Sequence, residues 1–184
     1  MDISFLDQKT IFTIIHILGV AIGAGGAYVS DMIFMSSIRD QKISKTEMRF
    51  LTLGSIFVWA GLVTLIASGI GILLTDTEGY LSSSKFLAKM SIVFIIFLNG
   101  ILFHVWHLPR IKRHVDSYFP SSEEFMSKKP FLFASGAISF TSWTFALTLG
   151  AIRYVPYSYI QIMFTYLLVL LVGIISSQLI FRNK

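Results

Sequence analysis

Residues 11–34 read IFTIIHILGVAIGAGGAYVSDMIF, a stretch whose one charged side chain is Asp31. A helix rising 1.5 Å per residue needs about 20 apolar residues to cross roughly 30 Å of hydrocarbon. A soluble helix of this length would carry a polar face, whereas here glycine, alanine and aliphatic residues run all round. The stretch therefore reads as a membrane span. It lacks a basic leader and a small-residue cleavage site, so it is expected to remain as the first helix of the protein.

Four more runs of the same kind follow, Phe50 to Leu74, Phe86 to Leu108, Phe131 to Ile152 and Tyr157 to Phe181. Over 184 residues the chain is 54% hydrophobic and only 14% charged, too apolar for a soluble domain to cover with a polar surface. The expectation is an all-α integral membrane protein of five transmembrane helices, with helices 1–4 forming a bundle and helix 5 packed beside it. The spans are about 11–34, 50–74, 86–108, 131–152 and 157–181, in one domain over 1–184. The longest connector, Pro109 to Pro130, is charged and bracketed by prolines. Cysteine is absent, which excludes disulfides and thiolate metal sites, so any redox chemistry must use a cofactor.

Five spans put the two ends of the chain on opposite sides, and the basic residues divide unequally. One side holds Arg39, Lys42, Lys45, Arg49, Arg110, Lys112, Arg113, Lys128, Lys129, Arg182 and Lys184; the other holds Lys9, Lys85 and Arg153. Short loops rich in Lys and Arg stay in the cytoplasm, which predicts a multi-pass protein of the cell (inner) membrane, N-terminus outside and C-terminus cytoplasmic. The net charge of +5 is explained by this topology. No aromatic interleaving accompanies the charges, so they fit lipid headgroups and not nucleic acid.

Small residues form stripes on three helices. His16, Gly19, Gly23, Ala27 and Ser30 share one face of the first span, and Gly54, Gly61, Thr64, Ser68, Gly71 and Thr75 share an arc of the second. Ser135, Ser139, Ser142 and Ala146 repeat the design in the fourth. Such faces either pack helices closely, as the GxxxG pair Gly19 and Gly23 suggests, or leave a slot for a planar ligand. Besides lipid, a tetrapyrrole or quinone-like small molecule and further copies of the chain are the partners such a bundle would take.

Ionisable residues inside a span are costly, so each is a candidate for function. His16 lies about 8 Å inside the outer boundary of the first span and Lys89 about 5 Å inside that of the third, so the two share a level. His104 and His107 lie some 27 to 32 Å down the third span, level with Asp31. Two axial nitrogens on one iron must approach within roughly 4 Å, and His16 and His104 differ in depth by about 20 Å, so they cannot bind one haem together. The structural alternatives are a His16 bonded to a neighbouring helix and a Lys89 reaching to the interface. His104 and His107 would then sit beside Trp106 at headgroup level, and Asp31 would pair with Arg39 or anchor the helix end.

The stretch from Ile15 to Leu18, then Glu47-Met48-Arg49, Gly79-Tyr80-Leu81 and Ala88-Lys89, resembles the HemJ-type protoporphyrinogen oxidase family and, more distantly, the CopD-like copper-resistance membrane domains. The likeness covers the first three spans. It implies a helical membrane bundle binding haem b, with an essential histidine early in the first helix and an essential lysine early in the third. Those roles fall on His16, as haem-iron ligand, and Lys89. The family usually has a histidine about three turns after the lysine, where this chain has Asn99 and Gly100. The reading is a haem-binding protein acting in oxidoreduction or electron transfer, with His16 and Lys89 catalytic and His16, Gly19, Gly23, Ser68 and Lys89 around the cofactor. The alternative is a small-solute, ion or proton transporter or channel without haem, in which Asp31, Lys89 and Arg153 mark the route.

Overall fold

The computed structural model describes residues 7–39, 42–116 and 123–182. Among them every element is helical: α1 (Gln8–Arg39), α2 (Lys45–Thr75), α3 (Thr77–Leu81), α4 (Ser84–Leu102), a π-helical turn (Phe103–His107), α5 (Leu108–Arg113), α6 (Glu123–Ala151) and α7 (Tyr159–Arg182). Five segments are long and apolar enough to cross a membrane, Gln8–Ile38, Lys45–Thr75, Ser84–Arg113, Ser127–Ala151 and Tyr159–Leu179. An all-α membrane architecture follows, because only closed hydrogen bonding within each segment satisfies the backbone in lipid.

The helix ends are set by local chemistry. Asp7 accepts the Thr10 amide at 2.7 Å at the start of α1. At the start of α2 the Ser44 hydroxyl accepts the Glu47 amide while the Glu47 carboxylate accepts the Ser44 amide at 2.8 Å, a reciprocal cap that also takes the Ser37 hydroxyl at 2.9 Å. The two prolines expected to bracket a loop lie in helices instead. Pro109 stands in the first turn of α5, directly after the π-helical turn, and the third span continues through it to Arg113. Pro130 lies inside α6, and its carbonyl accepts from the Gln178 amide of α7 at 2.8 Å.

Helices α1 and α2 form the closest pair. A Cβ added to Gly61 would stand 2.5 Å from the Gly23 Cα and 2.6 Å from the Gly19 carbonyl oxygen, and one added to Gly19 would stand 2.8 Å from the Leu65 nitrogen. The two backbones are thus in contact, the arrangement small-residue faces permit in lipid, where packing rather than the hydrophobic effect holds helices together. Thr75, expected on the same arc, is exposed and bonds its own backbone.

The interior divides into two apolar clusters. One gathers Leu62, Leu65, Ala88, Ile92, Trp143 and Tyr166; the other gathers Ile43, Met48, Leu51, Ile111 and Phe125 near the end that carries the basic loops. Helix α7 lies at the side of the bundle, packing on α6 and α4 through Ile162 and Tyr166, with most of its surface left to lipid.

Candidate functional site

Two polar sites lie within the spans. The first joins His16 of α1 to Ser68 of α2, Nδ1 to Oγ at 3.1 Å. Ser68 has one hydroxyl hydrogen and spends it on the Thr64 carbonyl at 2.6 Å, an i−4 bond within its own helix. The bond ties α1 to α2 at this level. Lys89 of α4 is close enough for its charge to act on the His16 ring. The structure thus joins His16 to Ser68, with Lys89 within electrostatic reach of the ring.

Gly19 and Gly23 do not join them in a slot. Against Gly19 lies the backbone of Gly61 and Leu65, and against Gly23 the indole of Trp143, which a Cβ would already overlap. Helix backbone and an indole already fill the stripe, which leaves no slot for a planar macrocycle there. Helix packing is what the stripe serves. Among the described residues no group of three or more His, Cys, Asp or Glu is placed to hold a metal ion.

The second site is a cavity of about 70 Å³ at the seam between the two apolar clusters, enclosed by α1, α2, α4, the π-helical turn and α6. Its polar lining comes from Ser30, Asp31, Ser55, Asn99, His107, Ser135 and Ser139. Asn99 and Ser135 satisfy each other: the Asn99 amide donates to the Ser135 carbonyl at 3.1 Å and the Ser135 hydroxyl donates to the Asn99 oxygen at 2.9 Å. This double bond fixes the register of α4 on α6. By contrast, Ser30 Oγ, Asp31 Oδ2 and both ring nitrogens of His107 are buried without a hydrogen-bond partner among the described residues.

The π-helical turn decides which histidine reaches the cavity. Its closing bond runs from the Leu108 amide to the Phe103 carbonyl, five residues back, so the helix carries one residue more per turn than an α-helix there. His107 turns inward and is 2% exposed, while Trp106 stays 59% exposed on the lipid side. His104 is exposed and bonds Ser55 through Nδ1 at 3.1 Å. Sequence reasoning placed Asp31, His104 and His107 at one depth and set both histidines beside Trp106 at headgroup level; the structure turns His107 into the bundle and leaves His104 exposed. Asn99 was noted only as a departure from a family pattern. The signal that would have found this site is the recurrence of Ser30, Asp31, Asn99 and Ser135 at one level in three different spans.

No family model, curated protein or solved structure matches this chain. The reading of function therefore rests on these two sites.

Proposed function

We propose that the protein is a membrane transporter or channel that carries a proton or small cation across the bilayer by way of Asp31. The observation that carries this reading is the set of buried groups on one intramembrane cavity, Asp31, Ser30 and His107, that have no partner among the described residues, which also place no Lys or Arg in the lining. Leaving such groups unbonded costs roughly 1–3 kcal/mol each, a cost that a passing ligand would repay. Trp143 closes the cavity at the Gly23 side, so passage would require α6 to shift against α1. Protein reconstituted into vesicles under an imposed potential is expected to admit positive charge, read as current or as a pH change in an entrapped dye. Vesicles as tight as protein-free ones would overturn the reading.

The basic loops give the orientation of this path, with the α1–α2 loop and α5 in the cytoplasm and the N-terminal end outside. A reporter fused after Lys184 is expected to be active only in its cytoplasmic form. Activity of a periplasmic reporter at that position would reverse the path.

A second reading is favoured by the placement of His16 within a span, its Nδ1 bonded to Ser68: a b-type haem protein, protoporphyrinogen oxidase-like or electron-transferring. In it His16 holds the iron and Lys89 is the second ligand or the partner of a propionate, and the haem supplies one-electron chemistry. Purified protein is then expected to show a Soret band that His16→Ala removes and His104→Ala retains. A colourless preparation from haem-replete cells ends this reading.

A further inference from the structure

The Asp31 cavity also has the composition of a receptor for one chemical class, and we infer that its cargo is a compact protonated amine. This inference rests on the transport reading above and names the substrate of the same site. Three features select that class. Among the described residues the lining holds one carboxylate and no Lys or Arg, which selects a cation. Its walls include Phe34, Trp59, Phe103 and Trp143, and aromatic faces attract weakly hydrated organic cations within about 6 Å of their ring centres. A hard metal ion would instead demand six or more oxygens and would keep its water.

The third feature is the count of acceptors. A primary ammonium carries three N–H donors, and the cavity offers three buried side chains with unpartnered acceptor capacity: the Asp31 carboxylate, the Ser30 hydroxyl and the His107 ring. Asn99 and Ser135 are already paired and complete a polar floor without competing for the ligand. A cavity of about 70 Å³ has room for a compact amine such as methyl- or ethylammonium. Its affinity comes from a charge-assisted bond to Asp31 in a water-poor site, where such bonds are shorter and about twice as strong as neutral ones.

Trp59 and Trp143 line the cavity and Trp106 faces lipid, so intrinsic fluorescence reads the site directly. Methylammonium chloride titrated into the detergent-solubilised protein is expected to give a saturable change, with half-saturation raised about tenfold or more in Asp31→Asn. Potassium chloride at the same ionic strength is expected to give none. Should Asp31→Asn fail to fold, as judged by its helical circular dichroism, Ser30→Ala serves in its place, with a smaller rise expected. A change that does not saturate, that potassium reproduces, or that neither variant weakens would overturn the amine assignment. Charge movement in vesicles without amine binding would sink this inference and leave the transport reading standing. Saturable binding without any flux would sink the transport reading and keep the amine site.

Discussion

Gly61→Val is expected to prevent the bundle from assembling, with little monodisperse protein recovered from detergent and a melting transition lowered well below that of the wild type. A Cβ at this position falls on the backbone of Gly23 and Gly19 and not on a side chain that could turn away. Overpacking in a core costs typically 1–3 kcal/mol when neighbours can adjust, so contact with two helical backbones should cost about 3 kcal/mol or more. The same stretch of α1 supplies the control. Nothing lies within 4 Å of a Cβ added to Gly25, so Gly25→Ala should change stability by no more than about 0.5 kcal/mol. Equal melting of Gly61→Val and wild type would show that α1 and α2 do not pack through their glycines.

The second large effect concerns flux. Asp31→Asn is expected to lower charge movement in vesicles by about tenfold or more while leaving the detergent melt close to that of the wild type. The amide keeps the shape and part of the hydrogen-bonding capacity of the carboxyl group, but it cannot carry a negative charge or take up a proton. A full charge–cation interaction in a water-poor site exceeds a neutral hydrogen bond by more than the 1.4 kcal/mol that corresponds to a factor of ten. Wild-type flux in a folded Asp31→Asn protein would remove Asp31 from the path. Loss of folding instead would give the residue a structural role.

The five spans were legible because each is a long run of apolar residues, and lipid leaves such a run little choice but a helix. Their ends were less so: Pro109 and Pro130 read as loop markers, yet one sits in a first turn and the other is accommodated within a helix whose carbonyl finds Gln178. The facing of Gly54, Gly61, Ser68 and Gly71 toward the interior followed from a period of 3.6 residues. Whether those faces meet a helix or a ligand did not, since that depends on the distance between two backbones. The pairing of His16 with Ser68 lay within reach, as both belong to stripes at one depth. The cavity lay beyond it, because the inward turn of His107 depends on a local departure from the α-helical period that no regular wheel contains.

That departure has a consequence for how the site arose. A π-helical turn within an otherwise α-helical span is the footprint of one inserted residue, accommodated without breaking the helix. Removing one residue from Phe103–His107 would restore an unbroken α-helix and rotate everything beyond it by about 100° relative to α6. Such a shortened chain would keep its hydropathy and all five crossings but lose the imidazole from its interior. Within a lineage of related chains, the length of this one turn, more than the identity of any nearby residue, would separate those that own the chamber from those that merely span the bilayer.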